Sequence, residues 1–279
     1  MSNWSYDRRP PSRSRLLRRP WLPLGLLVVL GLLIAFGPAN ARSRWHPPQA
    51  LTWYWQLTGH VRNSVSARAF DIDGFDSSAS EVAALHRAGK HVICYIDVGT
   101  WERWRPDAAK FPRSVLGRPN GWPGERWLDI RQMTILKPIM RARLMMCARK
   151  HFDAVEADNI DGYENGTGFR ITGAQQLTYN EWVADEAHKL GLAIFEKNDP
   201  EQAPQLEPYF DGAIDEQCNQ YDECSSFGRY LTAGKPVLNA EYKRSLYPGF
   251  CSADRRADIM GALYNLALDG RVYKPCPTT

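Results

Sequence analysis

Beyond its first 41 residues the chain has almost no net charge. It carries 35 Lys and Arg against 31 Asp and Glu. Six Arg (Arg8, Arg9, Arg13, Arg15, Arg18, Arg19) and one acid (Asp7) lie in 1–41, which leaves 29 basic and 30 acidic residues in 42–279. No basic stripe remains to neutralise phosphates, so no nucleic-acid partner is expected. Several motifs are missing too. No G-x-G-x-x-G follows the first strand-like run and there is no P-loop, which removes the common nucleotide cradles. The serine-hydrolase signature G-x-S-x-G is absent. There is no C-x-x-C or H-x-x-x-H spacing, so neither a structural zinc nor any other metal or cofactor is expected. His60, His86, His91, His151 and His188 pair with no Ser or Cys nucleophile signature and read as structural.

A charge-free apolar run, Trp21–Gly37, follows the Arg cluster and precedes Pro38-Ala39-Asn40-Ala41. A basic segment, an apolar segment and an A-x-A site make a secretory signal, cut after Ala41. The competing expectation is an uncleaved membrane anchor through 21–37, short for a bilayer span. Either reading puts the body outside the cytoplasm. The expected organisation is a signal or anchor at 1–41, a Pro-containing linker at 42–50 and one folded domain at 51–279, acting as a monomer. Six Cys suit an oxidising compartment. Cys218 and Cys224 are the favoured pair. Cys94 and Cys147 lie in apolar strand and helix patterns, where buried free thiols fit as well as a disulfide.

Short apolar runs alternate with longer helical patterns. The strand expectations are Trp53–Leu57, Ala69–Ile72, His91–Val98, Asp153–Asn159, Ala193–Asn198, Gly212–Cys218, Pro236–Tyr242 and Arg271–Cys276. Helices are expected over Ser78–Ala88, Ile135–Lys150, Gln175–Leu190 and Asp254–Leu268. Ser78 with Glu81 forms a capping box, and Gly191 and Gly270 stop their helices. Strands alternating with helices imply parallel βαβ units, and eight strands suit a (β/α)8 TIM-type barrel better than an open doubly wound sheet.

Polar residues gather at the C-terminal ends of these strands: Asp71 and Asp73, Asp97, Asp158 and Asn159, Lys197 and Asn198, Asp215 and Glu216, and Glu241. In a barrel those ends share one face, where catalytic groups sit. Converging carboxylates repel one another and are costly to bury, so a chemical use is expected. Cleaving a glycosidic bond needs one protonated and one ionised carboxyl flanking it. Val155-Glu156-Ala157-Asp158-Asn159 and Ile214-Asp215-Glu216-Gln217-Cys218 offer that pair. Alternation puts Glu156 and Asp158 on one face and splits Asp215 from Glu216. As strands four and six, the two would lie nearly across the barrel mouth. The alternatives are a non-catalytic cell-surface carbohydrate-binding barrel, a glycosidase of another polysaccharide, and an aldolase-type Schiff base at Lys197, which the exported character disfavours.

The ordered strings Trp53-Tyr54-Trp55-Gln56-Leu57, Asp71-Ile72-Asp73-Gly74-Phe75-Asp76, Cys94-Tyr95-Ile96-Asp97-Val98-Gly99-Thr100-Trp101, Gly121-Trp122-Pro123-Gly124-Glu125, Val155-Glu156-Ala157-Asp158-Asn159, Lys197-Asn198-Asp199 and Asp215-Glu216-Gln217-Cys218 resemble glycoside hydrolase family 114, the endo-α-1,4-polygalactosaminidase family. The resemblance spans roughly residues 52–245. It implies a (β/α)8 barrel and hydrolysis of α-1,4-linked galactosamine polymers. The family's proposed catalytic carboxylates match Asp158 and Glu216. Asp158 is expected as nucleophile or base and Glu216 as general acid. Phe195-Glu196 departs from the small or apolar residues that the family more often shows before Lys-Asn, and Glu196 is expected either near the site or as a buried partner of Lys197.

Galactosamine with a free amine is cationic, so an acidic cleft is expected to hold the polysaccharide. Asp73, Asp97, Glu125, Asp129 and Glu241 are the acidic binding expectations, with Glu102 and Asp161 as further acids. Glu102, Glu125 and Asp129 have Arg103, Arg105, Arg126 and Arg131 nearby in sequence, so ion pairing competes with that use. Tyr95, Tyr163 and Asn198 are expected as hydroxyl or amine contacts. Trp101, with Trp122 and Trp127, lies in the long segment between strands three and four, a natural cleft wall.

Overall fold

The computed structural model describes residues 43–277. The expected signal or anchor lies outside the described residues. Among the described residues no helix is long and apolar enough to cross a membrane.

The described residues form twelve strands: β1 Trp53–Gln56, β2 Ala69–Asp73, β3 His91–Asp97, β4 Thr100–Glu102, β5 Leu116–Pro119, β6 Glu125–Leu128, β7 Ala154–Asp158, β8 Ala193–Lys197, β9 Gly212–Glu216, β10 Val237–Glu241, β11 Met260–Tyr264 and β12 Tyr273–Pro275. The helices are α1 Ala79–Arg87, α2 Met133–Arg149, α3 Gly173–Lys189, α4 Ala203–Leu206, α5 Cys218–Tyr221, α6 Gly228–Thr232 and α7 Gly249–Arg256. The main sheet runs β1-β2-β3-β7-β8-β9-β10-β11-β12. Its first eight strands are parallel neighbours, so β7 and β9 are the fourth and sixth strands of a (β/α)8 barrel. The barrel is nearly closed between β11 and β1, which share no ladder: Trp53 Nε1 donates to the Met260 carbonyl at 3.0 Å and Leu57 N to the Leu268 carbonyl at 2.9 Å.

Strand pleat sorts the core into two layers. Trp53, Trp55, Ala69, Ile93, Ala154, Phe195, Ile214, Leu238, Ala240 and Tyr264 fill the barrel. Tyr54, Phe70, Val92, Cys94, Val155, Ile194, Ala213 and Val237 face outward onto the helices. This parity sends Asp71, Tyr95, Glu156, Asp158, Lys197 and Glu216 inward, and Glu196, Asp215 and Glu241 outward. Trp45, from the expected linker, stacks on the His91 ring with centroids 4.2 Å apart.

Side-chain caps explain the starts of α1 and α3. Ser78 and Glu81 make the capping box of α1, and Thr172 and Gln175 make one for α3. The expected helix over Asp254–Leu268 is wrong. α7 ends at Arg256, and β11 supplies the eighth barrel strand. Its alternation was hidden in a five-residue apolar run that also fits a helix period. Gly261 lets β11 approach α7: a Cβ there would lie 1.9 Å from Asp254 Oδ2. The expected last strand, Arg271–Cys276, contains only β12, which pairs antiparallel with β11 outside the eight-strand set.

Three disulfides are formed, Cys94–Cys147, Cys218–Cys224 and Cys251–Cys276. The favoured pair is present. The free-thiol alternative for Cys94 and Cys147 fails, because β3 carries Cys94 outward onto α2.

Candidate active site

Lys197 stands at the centre of the barrel's C-terminal mouth. Its Nζ lies 3.2 Å from Glu156 Oε1, 3.2 Å from Asp158 Oδ1 and 2.9 Å from Glu216 Oε2. The Trp55 ring lies 4.7 Å away on a fourth side. Burial alone would push the ammonium's pKa down, but the three carboxylates outweigh it and hold the group well above its ordinary value. A Schiff-base lysine must release its proton to attack a carbonyl, so this environment opposes the aldolase reading. Glu196 is not its partner. That carboxyl faces outward and accepts from Tyr230 OH at 2.8 Å.

Each flanking carboxyl is fixed by further donors. Asp158 Oδ2 accepts from Tyr95 OH at 2.8 Å and Asn159 Nδ2 at 3.2 Å. Glu216 accepts from Asn198 Nδ2 at 2.9 Å and from Tyr242 OH. Burial pushes the Glu216 carboxyl up, but Lys197 and the bonds from Tyr242 and Asn198 bring it below the usual range. The Asp158 side chain is 16% exposed and that of Glu216 is 28% exposed, so Glu216 is the more open to the cleft.

Above this floor lies a cleft of about 640 Å³. One wall is the antiparallel sheet β4-β6-β5 inserted after β3, which presents Trp104, Trp122, Glu125 and Trp127. Leu266 and Leu268 after β11, with Leu57 and Thr58 after β1, form the opposite wall. Trp104 and Trp122 are 53% and 58% exposed as whole residues, which places both at the rim. Arg105 is not free to bind an anion: it forks onto Asp73 at 2.9 and 2.6 Å and reaches Glu102 at 2.7 Å. Glu125 and Asp161 line the cleft with amide or hydroxyl partners. Asn120 donates to Glu125 at 2.6 Å and Asn165 to Asp161 at 2.7 Å. Burial raises both, Asp161 to about 6.

The structure brings Asp73, Tyr95, Glu125, Asp158, Asn198 and Glu216 together in the cleft lining. The other expected binding residues lie elsewhere. Asp97 is beneath the floor, where its Oδ1 accepts from Thr100 N at 2.6 Å and its Oδ2 from Asn159 Nδ2 at 2.8 Å. Trp101 turns back to donate to the Ala108 carbonyl at 3.0 Å. Asp129 pairs with Arg131 at 2.6 and 2.9 Å outside the cleft. Tyr163 donates to Asp199 at 3.0 Å. Glu241 faces outward and accepts from Asn219 N at 3.1 Å. Sequence reasoning missed Trp55, Trp104 and Tyr242. The pleat carried a signal for two of them: Trp55 shares the inward parity of Trp53, and Tyr242 follows outward-facing Glu241.

A (β/α)8 barrel with two carboxyl groups paired across its C-terminal mouth, under a cleft walled by Trp and acids, defines a barrel glycoside hydrolase. The chain belongs to glycoside-hydrolase family GH114, whose model matches residues 36–278. It is similar to Aspergillus fumigatus Ega3, solved in complex with galactosamine, at 33% identity over 84% of this chain and 98% of that one, with a TM-score of 0.80. It shares its fold with the glycoside hydrolase domain of PelA from Pseudomonas aeruginosa, at 13% identity over 80% and 97% of the chains and a TM-score of 0.62. No curated protein matches the chain.

Proposed function

We propose that this glycoside hydrolase cuts α-1,4-linked, galactosamine-containing polysaccharide internally, with Asp158 and Glu216 as the reacting carboxyl groups. The observation that carries the reading is the sharing of one ammonium by these two carboxylates at the floor of an open cleft. Oxygens 3.2 and 2.9 Å from a single Nζ can be no farther apart than the sum of those distances. That bound on the two facing oxygens favours the closer carboxyl spacing of retaining enzymes, and we take the reaction to retain the anomeric configuration. Asp158, the less exposed of the two, attacks the anomeric carbon. Glu216, the more exposed, protonates the leaving oxygen and then takes a proton from water. Because Lys197, Tyr242 and Asn198 hold its carboxyl low against its burial, only the protonated fraction of the free enzyme is competent as the acid. Tyr95, Asn159, Asn198 and Tyr242 hold the two in place.

Galactosamine bound to the relative favours an amino-sugar substrate. So does the cleft itself, where among the described residues no Lys or Arg forms an ion pair with Glu125 or Asp161 and an incoming ammonium would supply the counter-charge. An open cleft rimmed by Trp104 and Trp122 suits a polymer. The three disulfides support export, with the chain cut after Ala41 or held by 21–37, and we take the enzyme to act as a monomer.

The test is reducing-end release from a partly deacetylated α-1,4-galactosamine polymer by residues 42–279. Asp158→Asn and Glu216→Gln should each lower the rate by about a thousandfold or more. The first product should be the α-anomer by NMR. Because Glu216 must be protonated to act as the acid, kcat/KM should fall as pH rises through its depressed pKa. Wild-type rates in both variants would refute the assignment, and a β-anomer would refute retention.

A further inference from the structure

Beside the cleft, on the Glu216 side, lies a separate hollow of about 390 Å³. The loops after β10 and β11, the seventh and eighth barrel strands, build it, so it opens on the same face as the catalytic pair. Leu266 lines both the cleft and this hollow. Tyr242, whose hydroxyl donates to Glu216, lines the hollow too. Leu263, Tyr264 and Val272 give it apolar surface, and Lys243 and Arg244 line it as exposed cations. Arg244, Leu263 and Val272 carry the trough on into a further hollow of about 390 Å³, which adds Arg271 and Lys274. No Asp or Glu lines either hollow. Arg271 has Asp269 at 3.3 Å, but among the described residues no acid forms an ion pair with Lys243, Arg244 or Lys274.

The main cleft has the opposite character. Its acids Glu125 and Asp161 come from the sheet inserted after β3 and from the loop after β7, across the barrel from β10 and β11. A sugar with a free amine carries a positive charge, and its N-acetyl form is neutral at the same position. Each cation of the trough therefore repels an ammonium and leaves an acetamide unpenalised. The acetamide also has a carbonyl oxygen to accept from Lys or Arg and a methyl group that an apolar surface covers.

We propose that this trough is a subsite for an N-acetylated sugar unit on the leaving-group side of the cut, and that Lys243 and Arg244 exclude a free amine from it. The proposal rests on the reading of the cleft as a galactosaminidase with Glu216 as the acid, because the acid faces the departing sugar. The enzyme then cuts preferentially before an acetylated unit. Hydrolysis puts the oxygen of water on the anomeric carbon of the unit before the cut and returns a proton to the oxygen of the unit after it. The unit after the cut becomes the new non-reducing end, so those ends should be richer in N-acetyl groups than the starting polymer.

The experiment digests a partly deacetylated α-1,4-galactosamine polymer with residues 42–279 in water labelled with heavy oxygen, at mildly acidic pH and low salt. The label marks each new reducing end, so mass-spectrometric sequencing identifies the unit at the opposite end. Wild type should enrich N-acetyl units there about fivefold, the effect of two like charges in partly screened solvent. Lys243→Gln combined with Arg244→Gln should abolish that enrichment and raise kcat/KM on fully deacetylated polymer about fivefold. Lys243→Glu alone should shift the ends toward free amine. Arg87→Gln combined with Arg149→Gln removes the same charge from exposed residues at the ends of α1 and α2, and should keep the wild-type enrichment.

Unenriched ends from wild type, or unmoved ends from the Lys243 and Arg244 variants, overturn the subsite and leave the galactosaminidase reading standing. Equal loss of enrichment in the Arg87 and Arg149 variant overturns it as an effect of net charge alone. Failure of wild type to release reducing ends from any galactosamine polymer overturns the substrate reading, and the subsite with it.

Discussion

Asn198 grips Glu216 twice. Its Nδ2 donates to Glu216 Oε2 at 2.9 Å, and its Oδ1 accepts the backbone N–H of Glu216 at 2.8 Å. One side chain thus fixes both the carboxyl and the strand end that bears it. Asn198 sits at φ 55°, a left-handed conformation that Asn and Gly adopt readily.

Asn198→Gly should therefore preserve the backbone while deleting both bonds. A misaligned acid costs rate more than binding, so kcat should fall about 10–100-fold with KM little changed. Circular dichroism and Tm should stay near wild type. Unaltered kcat on the polymer would show that Lys197 and Tyr242 suffice to hold Glu216.

The eight-strand barrel and the placement of Asp158 and Glu216 on its fourth and sixth strands were legible because alternation, helix caps and strand-end polarity agreed. The failures have distinct physical causes. In Met260-Gly261-Ala262-Leu263-Tyr264 both periods fit, and only the packing of Leu263 with Phe250 and Cys251 chooses a strand. Asp129 and Glu241 were acidic residues at the expected heights, yet local partners took them: Arg131 two residues on, and the Asn219 N–H at the start of α5. Lys197 was visible as a chemical residue, but its role depends on three carboxylates from two other strands and its own geometry, which no local string encodes.

Stability should decline from mildly acidic to alkaline pH. Burial raises Glu102, Glu156 and Asp199 to about 7, and Asp161 and Asp254 to about 6. In the unfolded chain such groups release their protons at about pH 4. Between those values the folded state binds more protons than the unfolded state, so ΔG of unfolding falls as pH rises through about 4 to 7. The opposite sign applies to Asp153, whose carboxyl is lowered: burial pushes it up, but His91, the Val92 N–H and His86 outweigh that. Its contribution is lost only as pH drops below the usual carboxylate range. Calorimetry should give a Tm several degrees higher at pH 5 than at pH 8. A Tm that is flat or rising across that interval would mean these acids gain counter-charges or water in solution.

The exposed rings at the rim make a separable prediction, because they are remote from the reacting atoms. Trp122 lines the cleft mouth and also borders a second concavity with Trp101, Pro123 and Arg126 on the other face of the inserted sheet. Its ring carries no floor residue, and a sugar face stacked there would belong to a unit well away from the bond being cut. Trp122→Ala should raise KM for the long polymer about tenfold or more, the loss of about 1.4 kcal/mol or more of apolar contact. Hydrolysis of a short aryl glycoside, which fills only the floor, should be unaffected because Asp158, Glu216 and Lys197 keep their geometry. Equal losses on both substrates would mean that Trp122 supports the inserted wall, and unchanged KM on both would place the polymer along Leu266 on the opposite side.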